Sequence, residues 1–268
     1  MNEGDLKNMV YVKRASQDKP LITIVTVVYN GVKYLENTIL SIVNQTYNNI
    51  EYIIIDGAST DGTVDIIKSY GDKISKFVSE PDEGLYDAMN KGVGLADGEY
   101  IAFINADDYY VDGELGKVIE ELYEKKPDVL YADLDYIDNE RRVKRCWRPG
   151  RFRAENLSDL WIPPHPTTFM TRELFTSAGG FNLRFRLAAD YDLMLRVLST
   201  SKKVHYLDTV LVKMRLGGVS NISWSNIYKQ NLEIARSYNS VFYRYPLLQF
   251  LLKVFNRLVQ MIRAKIGF

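Results

Sequence analysis

From residue 21 onward, short apolar runs alternate with amphipathic segments. The β-branched run 21–28 predicts a buried strand, and Tyr29-Asn30-Gly31 a turn. Over 32–44 the apolar residues Leu35, Ile39, Ile42 and Val43 fall at helical spacing. Strands are then expected at 51–55, 74–79, 100–105 and 129–132, with helices at 61–70, 85–95 and 113–125 between them. This β-α-β-α order predicts a mostly parallel, Rossmann-like central sheet with helices on both faces. Right-handed crossovers place the strand ends on one common edge. The second half is less regular. A hairpin is expected at 133–147 around Asp138-Asn139-Glu140, and 149–160 has no clear period. Short helices are expected at 171–178, ended by Gly179-Gly180, and at 190–199, with a strand at 203–207.

Composition narrows the chemistry. The 268 residues are 46% hydrophobic and 25% charged, which is globular rather than disordered composition. One Cys excludes an internal disulfide framework, and two His disfavour a multi-His metal site. Any metal should then be a hard cation on carboxylates. Lys+Arg and Asp+Glu balance at 34 each, which argues against nucleic acid as the partner. The balance hides an asymmetry: residues 1–233 carry a net charge of −6, and residues 234–268 carry +6 with no acid. No run of 18 apolar residues occurs, and the polar segment 1–20 lacks the apolar core of a signal peptide, so the expected compartment is the cytoplasm.

Ligands of such sheets bind beyond the carboxyl ends of the strands. There the sequence places Tyr29-Asn30, then 56–62 (Asp-Gly-Ala-Ser-Thr-Asp-Gly), 80–84 (Glu-Pro-Asp-Glu-Gly) and 105–108 (Asn-Ala-Asp-Asp). Carboxylates gathered on one rim suit a divalent cation beside a polar ligand, although Asp107 and Asp108 could equally cap the next helix. Asp56 is an acceptor suited to a ring N–H of a base, or else a plain turn former. No glycine-rich phosphate loop of the G-x-G-x-x-G or G-x-x-x-x-G-K-[ST] type follows any strand.

The stretches 23–30, 56–62, 79–92, 98–108 and 179–196 resemble glycosyltransferase family 2, the inverting nucleotide-sugar transferases of GT-A fold. The likeness spans about 21–220, and 80–92 is similar to bacterial members that build surface polysaccharides. The resemblance implies hexosyl transfer with inversion from a nucleotide sugar, a UDP-sugar by family habit, to a hydroxyl of a glycan or lipid-linked acceptor. It implies a nucleoside held by Thr26, Val28, Tyr29, Asn30 and Asp56, with Asn105, Ala106 and Asp107 also on the donor; Lys91 is a candidate to balance phosphate charge, against a solvated helix Lys. Asn105-Ala106-Asp107 stands where the family has D-x-D, which makes Asp107 a ligand of Mn²⁺ or Mg²⁺, with Asp108 a second candidate. Residues 189–196 match an E-D-x-D-L-x-L-R helix start with Ala189 in place of Glu, and Asp190 falls on the catalytic base. The alternative for this stretch is Asp190 as a helix N-cap and Asp192 as a surface acid. His165 is a candidate for the metal or the diphosphate and Arg215 for the diphosphate, against a structural His among prolines and a solvent-facing Arg.

Three segments are expected: 1–20; a domain at 21–220 with a nucleotide-sugar half (21–112) and an acceptor half (113–220); and a basic amphipathic helical tail at 221–268. Leu247, Leu251, Val254, Phe255, Leu258 and Ile262 share one helical face opposite Lys253, Arg257 and Arg263, which suits an anionic membrane surface met by 246–265. A peripheral place on the inner face of the membrane follows, against packing on the domain or a second subunit. Two other functions remain open: a non-catalytic sugar-nucleotide-binding scaffold, suggested by Asn105 and Ala189, and a nucleotidyltransferase, disfavoured by the absent triphosphate loop.

Overall fold

The computed structural model describes residues 8–10, 19–217 except 46, 48, 154, 156 and 158–160, and 224–239. The expected tail over 246–265 and most of the segment 1–20 lie outside the described residues.

The first half follows the sequence pattern. Strand β2 (Ile22–Val28) pairs in parallel with β3 (Ile50–Asp56) on one side and β5 (Tyr100–Asn105) on the other. Strand β4 (Lys76–Ser79) continues in parallel from β3, and β1 (Asn8–Val10) lies antiparallel outside it. Every position of β2 and β3 is buried, because both faces of the sheet are covered. Alternation along the strands sends Ile22, Ile24, Tyr52 and Ile54 into one core and Val25, Val27, Ile53, Ile55 and Phe103 into another. Helices α1 (Leu35–Val43), α2 (Thr63–Ser69) and α4 (Glu114–Lys125) close the first core. The second is closed by α3 (Leu85–Gly94), α5 (Arg172–Ser177), α6 (Ala189–Thr200) and α7 (Trp224–Asn239).

The second half departs from a simple parallel order. Strand β9 (Phe169–Thr171) lies antiparallel between β5 and β7 (Val129–Ile137). Strand β7 also pairs in parallel with β10 (Val204–Arg215) and forms the expected hairpin with β8 (Val143–Trp147). The two-residue strand β6 (Tyr109–Tyr110) ends the sheet antiparallel to β10. Two strands are longer than their apolar runs. Strand β7 continues past Ala132 because Asp133 and Asp135 are buried against Arg148, Lys213 and Tyr206. Strand β10 continues past Leu207 through a register shift that absorbs Asp208 and Thr209, which hides the alternation.

Among the described residues, no helix is long and apolar enough to cross a membrane.

Candidate active site

Register brings the rim together. Val28 is opposite Asp56 and Val27 opposite Asn105, so β2, β3 and β5 release their loops side by side. Asp56 is fully buried at the end of β3; its Oδ2 accepts from the Ser59 backbone N–H at 3.0 Å and from the Ser79 hydroxyl at 2.6 Å. Its Oδ1 is buried and takes no hydrogen bond among the described residues. Such an oxygen is a ready acceptor for an entering N–H.

Asn30 laces the first two loops. It adopts the left-handed conformation (φ 49°), donates its backbone N–H to Ser59 Oγ at 2.7 Å and accepts from the Thr60 N–H at 3.0 Å. Tyr29 is 68% exposed beside Gly57. A Cβ on Gly57 would come within 2.6 Å of Asp82 Oδ2 and 3.4 Å of the Tyr29 ring, so glycine keeps a narrow slot open between them.

Three expected donor contacts are placed elsewhere. Thr26 is buried in the sheet and accepts from the Tyr52 hydroxyl at 3.1 Å. Val28 packs in the core, and its carbonyl accepts from Gly57 N–H at 2.9 Å. The family resemblance implies contact with the nucleoside for both, but the pleat turns their side chains inward. The Lys91 ammonium lies 3.0 Å from Glu80 and 3.3 Å from Asp87 and donates to the Pro81 carbonyl, which ties down the loop after β4.

The residues after β5 divide the acidic work. Asp108 is 1% exposed and holds the architecture: its Oδ1 accepts from the Arg215 backbone N–H at 2.9 Å and its Oδ2 from Asn105 Nδ2 at 3.1 Å. Burial, and then the charge of Asp107, push its carboxyl well above the usual range. Asp107 is only partly buried and takes no side-chain hydrogen bond from another described residue. Burial raises its pKa, while Arg215 acts in the opposite direction. Arg215 is not solvent-facing. It is 6% exposed, with its guanidinium 4.3 Å from the centre of the Tyr34 ring and its buried Nε without a partner among the described residues. No group of three or more His, Cys, Asp or Glu side chains placed to hold a metal occurs among the described residues. A cation on Asp107 would therefore complete its shell with ligand oxygens and water, as Mg²⁺ and Mn²⁺ do with phosphates.

Asp190 sits inside the first turn of α6, one residue past its start at Ala189, so it is not the N-cap. Its Oδ1 accepts from the Tyr86 hydroxyl at 3.1 Å and from the Tyr191 backbone N–H at 2.8 Å. Tyr86 opens α3 directly after the loop that follows β4, so Asp190 joins the same rim. Burial, with the charge of Asp190, holds the Tyr86 hydroxyl well above its usual pKa and keeps it a donor. His165 is buried, stacked on Phe103 at 5.2 Å and edge-on to Phe181 at 5.5 Å, and its Nε2 has no partner among the described residues. Burial lowers its pKa, against an opposing pull from Asp190.

Asp192 is no surface acid. It is buried and accepts from Arg196 Nε at 2.9 Å and from a terminal nitrogen at 2.6 Å, and Arg196 donates onward to the carbonyls of Ala178 and Gly180. The sequence reading also missed Tyr86. Its place two residues after Gly84, in the first turn of a helix leaving the rim, was the available signal.

The family model for glycosyl transferase family 2 matches residues 23–181, more than half of the chain, and the chain belongs to that family. A PGL/p-HBAD biosynthesis glycosyltransferase of Mycobacterium tuberculosis is 32% identical over 209 residues, covering 75% of this chain and 80% of the relative. An uncharacterized glycosyltransferase of Rickettsia typhi is 32% identical over 206 residues, covering 74% and 64%. In fold, the chain is similar to residues 1–349 of S. aureus TarS in complex with UDP-GlcNAc, with TM-score 0.64 and 18% identity, covering 85% of this chain and 69% of that one. It is likewise similar to the mannosyltransferase PcManGT of Pyrobaculum calidifontis in complex with GDP-Man and Mn²⁺, with TM-score 0.63 and 17% identity, covering 94% and 75%. Against a longer TarS chain it spans 41% of the length. These folds are GT-A, as the sequence led us to expect.

Proposed function

We propose that this chain transfers a sugar, with inversion, from a nucleotide-sugar donor to a hydroxyl of a glycan or lipid-linked acceptor. The observation that carries the proposal is the placement of two carboxylates: Asp107 in the loop after β5, taking no side-chain hydrogen bond from another described residue, and Asp190 tied to Tyr86 at the start of α6. A UDP-sugar is the donor we favour, supported by the UDP-GlcNAc and UDP complexes of the TarS fold. A biosynthetic sugar transfer is supported by the mycobacterial relatives, named for PGL/p-HBAD biosynthesis.

In this reading the base lies in the slot beside Gly57, with the Tyr29 ring as a platform and Asp56 Oδ1 accepting a ring N–H. Asp107 would hold a divalent cation, which would supply positive charge against the charge that develops on the leaving diphosphate. Arg215 adds fixed positive charge near Asp107. Asp190 takes the proton of the acceptor hydroxyl as that oxygen attacks the anomeric carbon, with Tyr86 fixing which carboxylate oxygen is free. The basic tail over 246–265 brings the chain to an anionic membrane surface, a proposal that rests on sequence alone.

The first test is calorimetric titration of the protein with UDP, GDP and dTDP, each with Mn²⁺ and with EDTA. Binding of one nucleotide that disappears in EDTA supports the reading. Metal-independent binding removes the cation from Asp107, and no binding to any of the three favours a scaffold.

A further inference from the structure

We propose that Glu233 on α7 is a positioning residue for Asp190, fixing the backbone turn from which that carboxylate projects. The inference rests on the reading of Asp190 as base given above.

Helix α6 starts without a cap of its own. Ala188 and Ala189 offer no side-chain oxygen, and the approach to the helix leaves a run of backbone N–H groups to satisfy. Glu233 satisfies three of them from another helix. Its Oε1 accepts from Arg186 N–H at 3.1 Å, and its Oε2 accepts from Leu187 N–H at 2.7 Å and Ala188 N–H at 3.0 Å. A carboxylate is the right group for this place, since such bonds are charge-assisted and the helix start favours negative charge.

Glu233 does not act by itself. Gln230, Glu233 and Ser237 are three and four residues apart, so they share one face of α7. Gln230 Nε2 donates to the Leu187 carbonyl at 3.2 Å, and the Ser237 hydroxyl donates to Asp192 Oδ1 at 2.8 Å. The chain is thus gripped at Arg186, Leu187 and Ala188, four to two residues before Asp190, and again at Asp192, two residues after it. The grip extends to the hydrogen-bond partner of Asp190. Arg196, held by Asp192, donates to Gly180 O at 2.8 Å. Next to it, the Phe181 backbone exchanges hydrogen bonds with Asn90 of α3, both at 2.9 Å. The Phe181 ring stacks on Tyr86 at 5.2 Å. Asp190 and Tyr86 are therefore positioned by one connected network whose origin is α7. That helix lies beyond the residues matched by the family model.

The test compares full chains carrying Glu233→Ala, Glu233→Gln, Asp190→Asn, and Glu233→Ala with Asp190→Asn. Two quantities are read: hydrogen–deuterium exchange, and nucleoside diphosphate release from UDP-GlcNAc and from GDP-mannose with Mn²⁺. Glu233→Ala should speed exchange at 186–191 at least tenfold while β2, β3 and β5 keep their protection. Glu233→Gln keeps one acceptor oxygen and should restore part of that protection. Release should fall tenfold or more in Glu233→Ala, with no further fall when Asp190→Asn is already present. Unchanged exchange at 186–191, a uniform rise across the sheet, or equal fold losses in both backgrounds would each overturn the proposal. Near-normal release by Asp190→Asn alone overturns the base reading, and the positioning role falls with it even where exchange behaves as expected. Where neither sugar nucleotide is turned over, exchange decides.

Discussion

The Tyr86 hydroxyl donates to Asp190 Oδ1 at 3.1 Å, across 104 positions of sequence. This bond joins α3, which follows the loop after β4, to α6, which carries the candidate base. Tyr86→Phe removes the donor and little else, since the ring keeps its stack on Phe181. A hydrogen bond to a charged group contributes about 1.5–3 kcal/mol, so transfer should fall roughly ten- to hundredfold with nucleotide affinity unchanged. Unaltered turnover would remove Tyr86 from the site.

Asp190→Asn keeps size and hydrogen bonding but cannot take a proton. Loss of a general base costs about 10²–10⁴-fold in rate. Steady-state transfer should fall by that factor, while calorimetry with nucleotide and Mn²⁺ stays near wild type.

Asp107→Asn and Asp108→Asn should separate binding from folding. The first should abolish the EDTA-sensitive part of nucleotide binding and leave the melting temperature almost unchanged. The second weakens the tie to the Arg215 backbone and to Asn105, and should lower stability by about 1–3 kcal/mol in chemical denaturation. Equal behaviour of the two variants in both assays would contradict the division drawn here.

Gly92 tests the packing of α3 on the sheet. A Cβ there would come within 2.4 Å of Val25 Cγ1 in the core. Alanine gains about 1 kcal/mol of helix propensity, but overpacking costs about 1–3 kcal/mol. The clash should win, and Gly92→Ala should melt lower than wild type.

Asp133 gives a pH signature. Burial raises its carboxyl to about 6, against the pull of Tyr206 and Arg148. A folded-state pKa above the unfolded value contributes stability that is present at low pH and lost as pH rises through 6. Asp133→Asn lacks this term, so the stability deficit of the variant should be larger at pH 5 than at pH 7.5. Urea midpoints of both proteins at the two pH values decide it.

Much of this was legible along the chain. The strands β2, β3 and β5 are continuous β-branched or apolar runs, and the loops after them name Asp56 and Asp107 directly. What was hidden depends on partners distant in sequence. Asp133 and Asp135 interrupt an apolar run, so β7 reads short, although Arg148 and Lys213 let both carboxylates enter the interior. Asp192 looks like a solvated acid until Arg196 and Ser237 are brought to it. Thr26 and Val28 lie in a motif that suggests contact with a ligand, yet the pleat points their side chains into the core.

The place of β9 has a consequence for how the molecule is made. Strand β7 is synthesised some forty residues before β9, but β9 is the strand that separates it from β5. The sheet therefore cannot grow in the order in which the ribosome delivers it. Until residues 169–171 arrive, the facing edges of β5 and β7 present unpaired backbone groups to whatever strand is nearby. Those edges close only when β9 pairs with Tyr100–Ala102 on one side and Val129–Leu130 on the other, so a three-residue strand seals the two halves of the sheet.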